Sequence, residues 1–307
     1  MTVKIKNIVG GNPCNIDGKP IDKPMNFKSR VLSEELLDRG QVKDAKRIFQ
    51  INNELYFLIN EKIKKINLST KEVKEYLGHL GYIKMIRCVV KLNNDLYVLT
   101  ENTNYGFDDI YLSKLKKNTI NLNDSYDCIL SNYSDKYGHL SGSTITVFEN
   151  SIYLTIGQHY RDEGIKSKLI KVVDKNTVTV IGDTTDVFYS TNWGSDSVNS
   201  MITFNNLIYA LNDYNKTIYT IDLKNGYRKT LVSQSSPLLS YDVMESPIGE
   251  FNNKYYFGQY ILNKDNSVTQ YNYNQNTITG GGIVDNSLLV NVGSDLKFID
   301  KKIYEEI

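Results

Sequence analysis

Apolar residues in this chain come in short alternating runs, and the runs are broken repeatedly by a pair of turn-forming residues. The first full instance is Ile51-Asn52-Asn53-Glu54-Leu55-Tyr56-Phe57-Leu58. It returns as Leu92-Asn93-Asn94-Asp95-Leu96-Tyr97-Val98-Leu99 and as Phe148-Glu149-Asn150-Ser151-Ile152-Tyr153-Leu154. Further copies are Phe204-Asn205-Asn206-Leu207-Ile208-Tyr209-Ala210-Leu211, Phe251-Asn252-Asn253-Lys254-Tyr255-Tyr256-Phe257 and Val284-Asp285-Asn286-Ser287-Leu288-Leu289-Val290. Asparagine tolerates the positive φ that two-residue hairpin turns demand, so each copy predicts two antiparallel strands joined by a tight turn.

A third apolar run with basic or β-branched alternation follows each hairpin. The predicted third strands are 62–68, 110–115, 168–173, 217–223 and 268–273. Second turns are expected at Ser69-Thr70-Lys71, Lys117-Asn118-Thr119, Lys175-Asn176-Thr177, Asn225-Gly226 and Gln275-Asn276-Thr277, each leading to a fourth strand. The last unit reads as strands at 281–285, 288–292, 296–300 and 302–306. The anchors Tyr56, Tyr97, Tyr153, Tyr209, Tyr256 and Leu289 recur at spacings near those of a strand-built repeat. The expectation is an all-β, six-bladed β-propeller of four-stranded antiparallel blades, with five blades as the alternative.

Residues 1–44 stand outside this pattern. They are expected to form an irregular N-terminal arm, with a short helix at 33–40 opened by Ser33 and closed by Gly40. The propeller domain is then 45–307. The arm either closes the ring, with 2–8 as an outer strand of the last blade, or docks to an assembly partner.

Composition narrows the function. With 36 basic and 35 acidic residues among 307, the net charge of +1 offers no footprint for nucleic acid. No apolar run approaches the length needed for membrane insertion, and the charged start does not resemble a signal peptide. The chain is therefore expected to be made in the cytoplasm. Cys14, Cys88 and Cys128 are odd in number and far apart, so they form neither a disulfide framework nor a zinc set. Cys88 is expected to act as a small buried apolar side chain.

The Asn turns gather at one end of the units, where lengths are nearly constant. The connections at the opposite end vary, and long loops concentrate function. That face is expected to carry the segments 102–109, 126–142, 157–164, 187–196 and 236–245. The ligand-binding candidates there are Tyr105, Asp108, Asp109, Tyr137, His139, His159, Tyr160, Arg161, Asp162, Tyr189, Trp193, Tyr241 and Asp242. Aromatic faces stack on sugar rings or anchor protein contacts, while carboxylates and amides take hydroxyls.

Catalysis is the weaker reading. No nucleophile elbow, Walker loop, metalloprotease helix or dinucleotide glycine pattern occurs, and no cofactor is implied. The acid pairs Asp108-Asp109 and Asp162-Glu163 are suggestive, but the expected innermost strands hold almost no acids for a glycosidase pair. Three histidines invite a metal, yet His79 and His139 recur at equivalent places in successive units, as structural residues do.

The Gly78-His79 and Gly138-His139 pairs resemble those that open WD-repeat blades, and the hairpin-plus-strand unit is similar to kelch-like bacterial propellers. The whole organisation, a decorated ring behind a non-repeat arm, resembles tail receptor-binding proteins of phages and phage-like particles. That resemblance implies binding to a cell-surface glycan or protein, assembly through residues 1–44, and release as part of a particle. The competing expectations are a propeller enzyme acting on a carbohydrate or lactone, and a cytoplasmic protein-interaction scaffold.

Overall fold

The computed structural model describes residues 42, 44–59, 62–76, 84–102, 109–116, 126–133, 139–160, 164–174, 177–181, 188–190, 200–212, 217–224, 228–232, 247–258, 260–270, 278–285, 287–292 and 295–298. Every regular element among them is a strand. Unit one comprises β1 (Arg47–Ile51), β2 (Glu54–Ile59), β3 (Lys62–Asn67) and β4 (Val73–Tyr76). Unit two comprises β5 (Lys84–Leu92), β6 (Asp95–Asn102), β7 (Asp109–Leu115) and β8 (Tyr126–Tyr133). Unit three has five strands: β9 (His139–Phe148), β10 (Ser151–Tyr160), β11 (Gly164–Asp174), β12 (Thr177–Val180) and β13 (Phe188–Ser190). Units four and five follow, as β14 (Ser200–Phe204), β15 (Leu207–Asn212), β16 (Thr217–Ile221) and β17 (Arg228–Val232), then β18 (Pro247–Phe251), β19 (Lys254–Phe257), β20 (Tyr260–Leu262) and β21 (Val268–Gln270). Unit six shows β22 (Ile278–Val284), β23 (Ser287–Val292) and β24 (Asp295–Phe298).

Within each unit the strands pair antiparallel in sequence order, save that β13 pairs β11. Hydrogen bonding groups them into five sheets, because β1 also pairs β22 in parallel and so joins units one and six into one seven-stranded sheet. The molecule is an all-β propeller of five sheets, the five-blade alternative, carrying six repeat units. The arm, its helix at 33–40, the strand at 2–8 and the strand at 302–306 lie outside the described residues.

The turn chemistry explains the hairpins. Asn52, Asn93, Asn150, Asn205, Asn206, Asn252, Asn253 and Asp285 all hold positive φ between 46° and 58°. The strands that flank each turn then pair without offset, as in Ile51↔Glu54, Leu92↔Asp95 and Phe204↔Leu207. The anchors behave as a core residue should: Tyr56, Tyr153, Tyr209, Tyr256 and Leu289 are buried, and Tyr97 is half-buried.

Three predicted segments differ. Residues 126–133 form β8, and β9 already begins at His139, so most of the expected 126–142 loop is strand. The run Tyr126-Asp127-Cys128-Ile129-Leu130 has the β-forming composition of an outer strand and finds β7 as partner. Likewise 157–160 continue β10, and β11 starts at Gly164. In unit five the third strand is β20, not 268–273, because Gly258 at φ 51° turns the chain at once after Phe257. The second turn of that unit is accordingly at 263–267. There Asp265 Oδ1 accepts from the Ser267 amide and hydroxyl, and Asn266 takes φ 66°.

The core lies between units, not within them. Six apolar clusters each draw on two successive units. One holds Ile51, Tyr56 and Leu58 against Ile86, Val89 and Val98. Another joins Phe204 and Tyr209 to Tyr255 and Phe257. The last closes the ring, with Val42, Ala45, Ile48 and Phe57 against Val284 and Leu289. At roughly 1.5–3 kcal/mol for each fully buried aliphatic or phenyl side chain, these interfaces dominate cohesion.

Closure has a specific geometric condition. A Cβ placed on Gly280 would sit 2.2 Å from the Ala45 carbonyl oxygen, and one on Gly282 would sit 2.0 Å from that of Ile48. Both obstacles are backbone, which cannot rotate away. Asn291 Nδ2 donates to the Ala45 carbonyl at 3.2 Å, and the Gln50 side chain exchanges two hydrogen bonds with Asp285, at 2.6 and 2.7 Å. We expect Gly282→Ala to destabilise the fold by about 3 kcal/mol or more by forcing β1 and β22 apart. Urea unfolding would show this, and a loss under about 0.5 kcal/mol, typical of a neutral surface change, would sink the closure argument.

Candidate functional site

The units are unequal, and the inequality lies at the end away from the tight turns. The inner strand β14 of unit four is 5 residues long, whereas β9 and β10 of unit three are 10 each and β11 is 11. Beyond an irregularity between Thr155 and Gly157 the β9–β10 ladder runs on to His139↔His159. The β10–β11 ladder runs to Tyr160↔Gly164. The outer strand β12 pairs with β11 over Ile170–Asp174, and β13 takes over at Ile165–Ser167. Unit three therefore continues its one sheet, as β9, β10, β11 and β13, past the level of the ring. Five residues of strand project it by about 16 Å. Unit two is elongated in the same direction, reaching Asn102↔Asp109.

The elongated ends of units two and three carry five of the candidate residues. Asp109 opens β7, His139 opens β9 opposite His159 in β10, Tyr160 ends β10, and Tyr189 in β13 pairs with Lys166. Tyr105, Asp108, Tyr137, Arg161, Asp162, Trp193, Tyr241 and Asp242 lie outside the described residues, as does His79. Sequence reasoning placed these segments as loops on a ring of equal units. What it missed is that the ladder itself extends, so several candidates stand on paired strands in fixed register.

A separate feature lies on the axis. The innermost strands of all six units enclose a cavity of about 290 Å³, lined by Arg47, Lys91, Thr146, Thr203, Tyr255 and apolar side chains such as Ile248 and Ile283. Its strand residues lie close to the tight turns, so it belongs toward the opposite end of the ring from the projection. The Thr146 and Thr203 hydroxyls stand 3.1 Å apart, and Thr203 Oγ1 also donates to the Val147 carbonyl at 2.7 Å. Lys91 Nζ donates to the Gln50 carbonyl at 2.7 Å. Cys88 is half-buried, with Sγ 3.5 Å from Thr144 Oγ1. The Arg47 guanidinium lies 5.1 Å from the Phe49 ring centroid. Its Nε is withdrawn from solvent and has no hydrogen-bond partner among the described residues.

Sequence reasoning did not single out these residues, although a signal was present. Five positions ahead of the tight turn the six units carry Arg47, Cys88, Thr144, Ser200, Pro247 and Gly280. One large cation thus stands in a register otherwise small and uncharged.

Burial raises the Tyr255 phenol above its ordinary range, an effect that Arg47 opposes and Glu250 reinforces. Tyr209, whose hydroxyl donates to Asn266 Oδ1 at 2.9 Å, is raised by burial as well.

The class defined by these units is the β-propeller, and comparison with known proteins supports the fold. No family model matches the chain, and no curated protein matches its sequence. Among solved structures it is similar to the PQQ-bound aldose sugar dehydrogenase of Streptomyces coelicolor, at 10% identity and a TM-score of 0.51, over 80% of this chain and 89% of that one. It is also similar to a structural-genomics protein of unknown function from Bacteroides thetaiotaomicron, at 13% identity and a TM-score of 0.50, over 81% and 67% of the two chains. A luciferin-regenerating enzyme aligns at 14% identity and a TM-score of 0.49, over 81% and 82%. At these identities the likeness is one of architecture.

The two raised phenols set a pH dependence. A tyrosine in the unfolded chain ionises near pH 10, whereas Tyr255 and Tyr209 stay protonated in the fold. The folded state then binds more protons above that pH, so stability falls as pH rises, by up to about 1.4 kcal/mol per pH unit for each group. Tyr255→Phe is expected to flatten the alkaline limb of stability measured by urea unfolding, and an unchanged slope would contradict the burial of that hydroxyl.

Proposed function

We propose that the chain is a non-enzymatic recognition module that binds a cell-surface glycan or protein through the projecting face of units two and three. The observation that carries this reading is the extended β9–β10–β11–β13 sheet. Nothing in ring closure requires it, since units one and four make complete four-stranded ladders from strands of 4 to 6 residues. A rigid ladder also suits recognition physically, because side chains on paired strands lose less conformational freedom on binding than those on loose loops. His139, His159, Tyr160 and Tyr189 stand on it, and Asp109 stands on the elongated ladder of unit two. Arg161, Asp162, Trp193, Tyr105, Asp108, Tyr137, Tyr241 and Asp242 complete the proposed surface from the connections around it.

In this reading the non-repeat segment 1–44 joins the ring to a phage-tail-like or other surface-recognition assembly, and the kelch-like likeness of the units reflects shared blade construction. The protein is made in the cytoplasm and leaves as part of that assembly. No cofactor enters the proposal.

Whole-cell binding and a glycan array test it. Tyr160→Ala and Trp193→Ala are each expected to weaken binding by about tenfold or more, the size of a lost aromatic contact of 1.4 kcal/mol or above, with the thermal midpoint unchanged. Release of reducing ends or ring-opened product from the bound glycan would move the protein to the enzyme reading. Removal of residues 1–30 is expected to leave binding intact while abolishing co-assembly; an unfolded product would instead assign the arm to ring closure.

A further inference from the structure

The axial cavity is not used by the proposed recognition face, and its chemistry is one-sided. Among the described residues its lining includes two cations, Arg47 and Lys91, and no carboxylate. Lys91 is exposed at the rim, while Arg47 presents its Nε inside without an acceptor. A guanidinium N–H buried without an acceptor is costly, and native structures ordinarily pair it. Acids do occur near the inner strands, but Asp285 is engaged by Gln50 and Glu250 is exposed. Burial lowers the pKa of Arg47, with smaller opposing effects from Tyr255 and Cys88, and lowers that of Lys91.

Arg47 is also singular in its register. The residues equivalent to it in the other units, Cys88, Thr144, Ser200, Pro247 and Gly280, are all small and uncharged. The remaining lining mixes Ile48, Val90, Val147, Ile248 and Ile283 with Gln50, Thr146, Thr203 and Tyr255. A guanidinium among apolar side chains and neutral polar groups matches a planar carboxylate on a short carbon skeleton.

We propose that the axial cavity is a binding site for a small organic carboxylate, held by Arg47 with Lys91 at the entrance.

Isothermal titration of the full chain with butyrate, succinate, the neutral isostere butyramide and inorganic phosphate tests this. Saturable binding of butyrate or succinate is expected, about 10- to 100-fold tighter than butyramide, as charge-assisted hydrogen bonds to a buried cation give. Arg47→Met should abolish that preference while the thermal midpoint of the unliganded protein holds or rises, because a charge lacking its partner is removed. Arg47→Lys keeps the charge but not the fork and should weaken binding by about tenfold. Lys91→Gln should weaken binding less, since Lys91 stands in solvent at the rim. Butyramide binding as tightly as butyrate, phosphate binding in preference to both carboxylates, or no carboxylate binding in the millimolar range would each overturn the proposal. So would carboxylate binding that survives Arg47→Met. If that variant does not fold, the butyrate-to-butyramide ratio in the unmodified chain and in Arg47→Lys still decides the matter.

Discussion

The structure depends on one close approach, that of β1 to β22. A propeller is a chain of sheets, each of which hides its apolar faces only against a neighbour, so the first and last units are stable only together. Here the joint is made by backbone. Arg47, Ile48 and Phe49 pair in parallel with Gly281, Gly282 and Ile283. Gly280 and Gly282 allow it because any side chain there would collide with the carbonyls of Ala45 and Ile48. The hydrogen bonds of Gln50 with Asp285 and of Asn291 with Ala45 then fix the register. The same pairing explains why six repeat units occupy five sheets.

The rest of the ring repeats a weaker version of that joint. Apolar clusters fill every gap between successive units, and polar bonds between inner strands accompany several of them. Lys91 reaches the Gln50 carbonyl, Thr203 reaches Thr146 and the Val147 carbonyl, and Cys88 meets Thr144. Between units four and five the contact is aromatic, with the Phe204 and Tyr255 rings edge-on at 6.1 Å, and Tyr209 bonds outward to Asn266. Because each unit is held by its two neighbours, a unit can grow away from the ring without loss of cohesion. Units two and three do so.

Two places for ligands result, at different ends and of different chemistry. The projection of unit three is a paired sheet carrying histidine and tyrosine residues in register. The axial cavity is of mixed lining and holds the Arg47 side chain. They are independent in the fold, since one is built by strand extension beyond the Thr155–Gly157 irregularity and the other by inner-strand residues near the tight turns.

Local chemistry was enough to read the hairpins, the repeat and the all-β class from the sequence, because an Asn-rich pair with positive φ between alternating strands is a short-range signal that needs no partner. The anchors at Tyr56, Tyr153, Tyr209 and Tyr256 were legible for the same reason. Strand ends were not: 126–133 and 157–160 read as loops because their pairing with β7 and with β9 and β11 is decided across the sheet. The third strand of unit five was misplaced because a single glycine, Gly258, shortened a connection that the other units make longer. Which residues meet on the axis, and that Arg47 Nε stands there with no acceptor among the described residues, only the closed ring decides. Burial is a property of six inner strands brought together, and no one stretch of sequence contains it.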